Sequence, residues 1–185
     1  MNDCLVLTDL FDDFRHDDGD ALFVSFCERF DGLRALIEWG RDADLPIIYA
    51  NDNFGVWDGN ASRTVEAARN GRGSAFVPLI APQGEDRFVL KPRYSAFDHT
   101  PLELILRTLE VERLLLAGMA TEMCVAQSAI SARERGFKVT VVASACACVD
   151  EKLEQVALRY LEEVVGVHIA SGVNDLLTER RQLLP

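Results

Sequence analysis

The chain has 185 residues, 49% hydrophobic and 26% charged, a balance typical of a single globular domain with a sizeable core. Its net charge of −11 disfavours a nucleic-acid partner, and no uncharged apolar run approaches the ~20 residues of a membrane span. The first residues lack a signal peptide's features, and five irregularly spaced cysteines suit a reducing compartment. We therefore expect one cytoplasmic domain over residues 1–185, without a membrane partner.

Short apolar runs alternate with longer amphipathic segments along the chain. The predicted strands are Cys4–Thr8, Ile47–Ala50, Arg87–Leu90, Leu114–Ala117, Lys138–Ala143 and Gly166–Ile169. The predicted helices are Leu22–Arg41, Arg63–Arg69, Pro101–Leu109, Glu122–Arg135 and Asp150–Glu163. This alternation predicts an α/β fold, namely a three-layer α/β/α sandwich around a mostly parallel sheet of about six strands. The second helix lies in a long excursion, Asn51–Gln83, whose glycines and prolines are typical of a functional loop.

Three reactive side chains close, or directly follow, predicted strands. Asp9 ends the first strand, Lys91 ends the third, and Cys124 follows the fourth after a tight turn. The carboxyl ends of parallel strands meet at one edge of a sheet, where open α/β sheets bind ligands. A thiol in the first turn of a helix is biased towards thiolate by free N–H groups and the helix dipole, and a nearby lysine lowers its pKa. The pattern therefore predicts a cysteine nucleophile with two charged partners.

Other interpretations of these strand ends stay open on spacing alone. A strand-end Asp is often a turn or helix cap, and Asp12 and Asp13 are typical of capping or solvated positions. His16 and His99 also follow strand ends, so a Cys–His pair is a rival source of a thiolate. The three histidines show neither HxxxH nor DxH spacing, and there is no GxGxxG or Walker-type loop. We therefore expect no metal and no cofactor.

Four segments resemble the cysteine hydrolase family, which includes isochorismatase-like proteins, nicotinamidases and N-carbamoyl amide hydrolases. LVLTDLFDDF is similar to the family's opening strand, and YANDNFGVW to a segment that follows its second strand. LKPRYSAFDHTPLELIL resembles its lysine segment, and LLLAGMATEMCV its nucleophile turn. Order and spacing agree at all four places, so the resemblance covers most of the chain. It identifies the family rather than the substrate.

The resemblance implies the α/β/α fold and an Asp–Lys–Cys triad. By match, Cys124 is the nucleophile, Asp9 the general base and Lys91 the electrostatic partner. It also implies a cis peptide bond between Met119 and Ala120, and an oxyanion hole formed by the backbone amides of Ala120 and Cys124. Assembly is usual in the family, so a homodimer or homotetramer is expected.

The chain departs from the family pattern at two places near the predicted site. Metal-binding nicotinamidases carry Asp-x-His after the second strand, whereas this chain has Asp52-Asn53-Phe54, which disfavours a metal site. The family often has Gln two residues after the base, where Phe11 suggests a more apolar pocket wall. The candidates for lining the substrate pocket are Phe11, Phe14, Asn53, Phe54, Trp57, Tyr94 and Thr121. For the aromatic candidates, core packing is an equal alternative.

These features predict a hydrolase that cleaves a C–N bond of a small amide, ureido or carbamoyl compound through a thioester acyl-enzyme. Retention of Cys124 favours an acyl substrate, because some isochorismatases lack the cysteine and vinyl-ether hydrolysis does not need it. One alternative is such an ether hydrolase. The other is a binding module, either an inactive family member or a receiver-like domain with Asp52 as its candidate phosphoacceptor.

Overall fold

The computed structural model describes residues 2–182, so the ends of the predicted 1–185 domain lie outside the described residues. The strands are β1 (Asp3–Thr8), β2 (Ile47–Asp52), β3 (Arg87–Lys91), β4 (Arg113–Met119), β5 (Lys138–Ala147) and β6 (His168–Ala170). The helices are α1 (Gly19–Asp42), α2 (Ala61–Arg69), α3 (Val77–Ile80), α4 (Leu102–Thr108), α5 (Ala126–Glu134), α6 (Glu151–Tyr160) and α7 (Val173–Gln182). Two π-helical turns, Thr121–Val125 and Leu161–Val165, lie directly before α5 and directly after α6.

The six strands form one parallel sheet in the order β3–β2–β1–β4–β5–β6. Parallel neighbours need crossover connections, and helices supply these and cover the faces of the sheet. The predicted three-layer α/β/α fold is confirmed. The chain runs outward from β1 through β2 to β3, and it then crosses back to form β4 on the other side of β1. The crevice between the carboxyl ends of β1 and β4 is therefore the place where such sheets bind ligands.

The central strands explain why the sequence pattern was readable. β1 and β4 are buried along their whole length, as expected for strands covered on both faces, so they appear as continuous apolar runs. On α5, Ala129 and Ala132 are fully buried, at the helical spacing that the sequence predicts. Gly136, with a φ of 83°, follows the end of α5 in the left-handed conformation that glycine tolerates best.

The periphery departs from the sequence prediction. The apolar stripe of α6 is largely exposed, with Leu153 at 58% and Val156 at 65%, and the helix buries Glu154 instead. The helices α3 and α7 were not predicted, because α3 has only four residues and α7 carries mostly polar side chains. Within the described part of the chain, no helix combines the length and apolarity that crossing a membrane requires.

Candidate active site

The side chains of Asp9, Lys91 and Cys124 meet beyond the carboxyl ends of β1, β3 and β4. Lys91 Nζ lies 2.7 Å from Asp9 Oδ2 and 3.4 Å from Cys124 Sγ. The Cys124 thiol also hydrogen-bonds the Asp9 carboxylate. Lys91 donates its third hydrogen bond to the carbonyl oxygen of Arg93 at 3.0 Å, so the three donors of its ammonium group all have acceptors. The structure therefore brings the three predicted residues into mutual contact.

The local backbone at the end of β1 aims Asp9 into this cluster. Asp9 has a φ of 50°, a left-handed conformation that Asp adopts more readily than most residues. Its amide donates to the carbonyl oxygen of Ala50 at 3.0 Å, and its Oδ1 accepts a hydrogen bond from the amide of Asp52 at 2.7 Å. These bonds to β2 fix the carboxylate, so that its second oxygen is held against Lys91.

The end of β4 approaches β1 so closely that only glycine fits there. A Cβ on Gly118 would lie 2.0 Å from the carbonyl oxygen of Thr8. The φ of Gly118 is 122°, a conformation that residues with a side chain rarely adopt. The pairing of β4 with β5 also shifts register between Leu116 and Gly118. The peptide bond between Met119 and Ala120 is cis. The nucleophile turn therefore begins at the crevice beside Asp9.

Cys124 lies in a π-helical turn rather than in the first turn of the predicted α-helix. The amide of Val125 donates to the carbonyl oxygen of Ala120, five residues earlier, at 3.2 Å. Regular α-helix begins only at Ala126. Single π turns of this kind are frequent at functional sites, because the wider turn redirects backbone amides and side chains.

Buried polar side chains hold this turn from below. Thr121 is fully buried, and its hydroxyl lies 2.8 Å from Glu154 Oε1 and 3.1 Å from the carbonyl oxygen of Ala147. Glu154 in turn accepts a hydrogen bond from Arg29 on α1 at 3.1 Å. Glu122 Oε1 accepts hydrogen bonds from the amides of Val149 and Asp150. The nucleophile turn is thereby tied to α1, α6 and the end of β5.

Burial and the neighbouring charges set the protonation states of the cluster. Burial raises the pKa of the Cys124 thiol, and the Asp9 carboxylate raises it further, while Lys91 offsets only part of the effect. Burial also raises the pKa of Asp9, against the opposing charge of Lys91. For Lys91, the charges of Asp9 and Cys124 outweigh burial and raise the pKa. Burial and the Asp9 charge therefore favour the thiol form of Cys124, against the thiolate that the helix end by itself would favour.

A cavity of about 300 Å³ opens onto Asp9 and Cys124. The loops after five neighbouring strands, β1 to β5, supply its walls, together with Leu22 from α1. Its other lining residues are Asp12, His16, Asp52, Phe54, Tyr94, Met119, Ala120, Met123 and Val149. Of the predicted pocket residues, Phe54 and Tyr94 therefore line the cavity that contains Cys124.

Three predicted pocket residues, Phe11, Asn53 and Trp57, lie in neighbouring cavities or turn into the core. Phe11 is fully buried, stacks on Phe88 and lines a second cavity of about 250 Å³ together with Asn53. Phe11 therefore does not form the apolar wall predicted beside Cys124, because its ring packs under the sheet edge. Trp57 is 77% exposed and lines a third cavity with Asn53 and Asp52.

Phe14 and Thr121 do not line the cavity of Cys124, so the structure corrects these two expectations. Phe14 is buried, with its ring packed 5.0 Å from that of Phe23 and 5.6 Å from that of Phe26. Thr121 turns its hydroxyl inward to Glu154, as described above. Both side chains support the loops that carry the site, because burial in a core directs them away from the cavity.

The histidines do not pair with Cys124 in this structure. His16 lines the cavity, but its Nε2 lies 3.5 Å from Asp12 Oδ2. His99 lines the third cavity. Cys124 instead hydrogen-bonds Lys91 and Asp9. The geometry therefore supports the carboxylate, rather than a histidine, as the proton acceptor for the thiol.

The residues present do not fit a metal site. Phe54 stands where Asp-x-His would supply a histidine, and its side chain has no ligand atom. Within residues 2–182, no group of three or more His, Cys, Asp or Glu side chains could hold a metal ion. Asp52 instead accepts a hydrogen bond from the amide of Phe54 at 2.6 Å, which shapes the loop after β2.

Sequence reasoning missed two carboxylates of the cavity. Asp12 was assigned to capping, and it does cap the loop through a hydrogen bond from the amide of Phe14, but it also lines the cavity. Asp52 was considered only at the place of the Asp-x-His motif and as a receiver phosphoacceptor, not as a pocket residue. It closes β2 as Lys91 closes β3, so the rule that identified Lys91 would have found it had β2 been predicted to its full length.

The chain and its fold are similar to several known proteins. The model of the isochorismatase domain matches residues 3–172. The chain is 29% identical over 167 residues to the uncharacterized isochorismatase family protein YaaI of Bacillus subtilis, covering 90% of this chain and 92% of that protein. It is 30% identical over 127 residues to maleamate amidohydrolase of Pseudomonas putida, covering 64% and 58%. The crystal structure of nicotinamidase PncA from Bacillus subtilis matches with a TM-score of 0.75 at 25% identity, covering 92% of this chain and 100% of that one.

Proposed function

This chain belongs to the isochorismatase family, and on that premise we propose that it is a cysteine-dependent hydrolase that cleaves a C–N bond of a small amide, ureido or carbamoyl compound. Maleamate amidohydrolase and nicotinamidase, which it resembles, support this reaction class. The observation that carries the proposal is the position of Lys91 Nζ, 2.7 Å from Asp9 Oδ2 and 3.4 Å from Cys124 Sγ, beside an open cavity. The proposal treats residues 1–185 as one catalytic domain.

Acylation begins with transfer of the thiol proton to Asp9. The raised pKa of Asp9 makes its carboxylate a stronger base than a solvated one, which reduces the mismatch with the thiol. Cys124 Sγ then forms a bond to the substrate carbonyl carbon, and the carbonyl π electrons move to oxygen. The backbone amides of Ala120 and Cys124 donate hydrogen bonds to that oxyanion. Lys91 stays protonated, and its positive charge stabilises the negative charge whether that charge is on Asp9 or on Cys124.

Collapse of the tetrahedral intermediate re-forms the carbonyl and breaks the C–N bond. Protonated Asp9 delivers its proton to the departing nitrogen, so ammonia or an amine leaves and a thioester remains. Asp9, again a carboxylate, removes a proton from a water molecule that attacks the thioester. Breakage of the C–S bond releases the acid product, and the proton returns from Asp9 to Cys124. Each turnover therefore consumes one water and leaves the cluster in its resting state.

The test compares Cys124→Ala with Cys27→Ala, a matched loss of an exposed thiol on α1. A panel of amides, ureides and carbamoyl amino acids is scored by ammonia release with the purified protein. We expect Cys124→Ala to lose about 10⁴-fold or more in kcat/KM, and Cys27→Ala to retain wild-type activity. Rapid quenching and mass spectrometry of the wild-type protein are expected to detect an acyl group on Cys124.

Other outcomes of that test identify the alternatives. Hydrolysis of C–N bonds that persists in Cys124→Ala contradicts the mechanism. Turnover of isochorismate that survives loss of the thiol supports the vinyl-ether hydrolase. If no compound of the panel is hydrolysed and no acyl group is trapped, the chain is a binding module rather than an enzyme.

The cellular setting is part of the same proposal. We expect the protein to act in the cytoplasm on a small molecule, and to assemble into a homodimer or homotetramer. Light scattering of the purified protein measures the assembly directly, since the monomer has a mass of 20.6 kDa. A monomer that is fully active contradicts the predicted assembly without affecting the proposed chemistry.

A further inference from the structure

We propose that the cavity selects amides that are cationic or neutral over those that carry a carboxylate, and that Asp12 and Asp52 determine this selection. This inference rests on the proposed C–N hydrolysis, which it deepens by naming the charge of the substrate. It begins from a division of the cavity into two parts. The floor consists of Asp9, Lys91 and Cys124, and the rim consists of Asp12, His16 and Asp52.

The floor is electrostatically balanced. In the proposed mechanism, Asp9 and Cys124 share one proton, so together they carry one negative charge before and after proton transfer. Lys91, which is fully buried against both, supplies one positive charge. The floor therefore presents no net charge to a substrate, and its ammonium group has all three donors engaged.

The rim is not balanced. Asp12 and Asp52 contribute two carboxylates, and His16 is the one group of the rim that can become positive. His16 pairs with Asp12 at 3.5 Å, so even a protonated imidazole leaves one negative charge in excess. Burial raises the pKa of Asp12, and the Asp13 and Asp52 carboxylates act in the same direction, while the hydrogen bond from the Phe14 amide and the charge of His16 oppose them.

The described residues that line this cavity include no arginine and no lysine. Lys91 lies beneath the floor, and its three hydrogen-bond donors already have acceptors. Arg93 lines the third cavity, which shares Asp52. A substrate carboxylate would thus enter a partly desolvated site that has two carboxylates and no free lysine or arginine among its lining residues, which is costly. An ammonium group would gain from the same arrangement.

Two aromatic rings favour the same class of ligand. Phe54 and Tyr94 line the cavity and are 53% and 56% exposed, so their faces are accessible to a substrate. The face of an aromatic ring attracts cations, and this attraction grows where water is excluded. Carboxylates beside accessible rings are a combination suited to an ammonium group and unsuited to an anion. Each rim carboxylate is expected to change the preference by roughly fivefold.

The first experiment uses three substrates with the same four-carbon chain: 4-aminobutyramide, succinamide and succinamate, which are cationic, neutral and anionic. We expect kcat/KM for each of the first two to exceed that for succinamate by at least about tenfold. The double variant Asp12→Asn/Asp52→Asn is expected to reduce the ratio of kcat/KM for 4-aminobutyramide to kcat/KM for succinamate by tenfold or more. Asparagine retains the Oδ1 acceptors that the Phe14 and Phe54 amides use, so the loops keep their bonds.

The second experiment does not require turnover. Cys124 is modified with cationic (2-trimethylammonioethyl), neutral methyl and anionic (2-sulfonatoethyl) methanethiosulfonate, and the rates are followed by peptide mass spectrometry. The exposed Cys27 is the internal reference for the overall charge of the protein. We expect the cation-to-anion rate ratio at Cys124 to exceed that at Cys27 by about tenfold or more, and to fall with added salt.

The control variant Asp31→Asn/Glu134→Gln removes the same charge from exposed surface positions and is expected to leave both ratios unchanged. The inference is overturned if an anionic substrate or reagent reacts as fast as its cationic counterpart. It is also overturned if the rim variant and the control variant change the cation-to-anion rate ratio equally. If the amides are not hydrolysed but the reagent ratio behaves as expected, the proposed reaction fails while the charge selection of the cavity stands.

Discussion

Two buried ion pairs lie at opposite ends of the parallel strands, one at the amino edge of the sheet and one at the carboxyl edge. Only one of them is suited to chemistry. At the amino edge, Arg113 on β4 binds Asp3 on β1 through two hydrogen bonds of 2.8 and 2.9 Å. At the carboxyl edge, Lys91 binds Asp9 at 2.7 Å. The first pair joins the neighbouring strands β1 and β4, whereas the second spans β2, which lies between β1 and β3. Both pairs bury a cation, with Arg113 7% exposed and Lys91 0%.

The difference lies in what surrounds each pair. Arg113 also binds Glu179 at 2.7 Å, so its guanidinium is enclosed by carboxylates and stays charged. Lys91 instead shares its donors between a carboxylate, a carbonyl oxygen and a thiol, next to a cavity of about 300 Å³. A buried ion pair is therefore not itself a sign of catalysis. The Lys91 pair differs in having a thiol within hydrogen-bond reach and an open cavity beside it.

Replacement of Lys91 by Met is expected to have the largest effect, on activity and stability together. Loss of the cation should lower kcat/KM by about 10³-fold, because the charge shared by Asp9 and Cys124 is then uncompensated. The free energy of unfolding should fall by about 3 kcal/mol at pH 8. It should fall less at pH 5, because without Lys91 the already raised pKa of Asp9 rises further and protonation then relieves the buried charge.

The measurements for this variant are amide hydrolysis and urea unfolding at the two pH values. Lys152→Met, which removes an exposed lysine from α6, is the matched control and should change neither quantity appreciably. Equal destabilisation of Lys91→Met at pH 5 and pH 8 would show that Asp9 does not take up the proton.

Replacement of Arg113 by Met tests the opposite edge. Because it leaves Asp3 buried without its partner, we expect the free energy of unfolding to fall by about 3 kcal/mol, comparable to the loss in Lys91→Met. At a temperature where the variant is folded, kcat/KM should stay within about twofold of wild type, since the carboxyl edge is unchanged. A loss of activity as large as that of Lys91→Met, measured on folded protein, would contradict the division between the two edges.

Replacement of Thr121 by Val is expected to have the smallest effect of the three. It removes the hydroxyl that donates a hydrogen bond to Glu154 Oε1 at 2.8 Å beneath the turn that carries Cys124, while it keeps the shape of the side chain. We expect kcat to fall about tenfold with little change in KM, because the turn shifts but the rim of the cavity does not. Thr108→Val removes an exposed hydroxyl that bonds within α4 and serves as the control. An unchanged kcat, or a change in KM alone, would exclude a positioning role for Thr121.

Much of the fold and part of the site could be predicted from local sequence. The buried strands β1 and β4 were readable as apolar runs, and the strand-end rule selected Asp9, Lys91 and Cys124 before any geometry was known. The prediction of the pocket was weaker. Phe11 and Thr121 follow the same elements as the reactive residues, yet both turn away from the cavity of Cys124.

The sequence by itself determined which strands form, that the sheet is mostly parallel, and which reactive side chains close or follow the strands, because period and polarity are properties of short segments. The tertiary structure decided the raised pKa of the Cys124 thiol, the inward turn of Thr121, and the position of Asp12 and Asp52 on the cavity. Each of these depends on burial and on charges contributed by distant segments. Desolvation and charge act through space, so no pattern along the chain contains them.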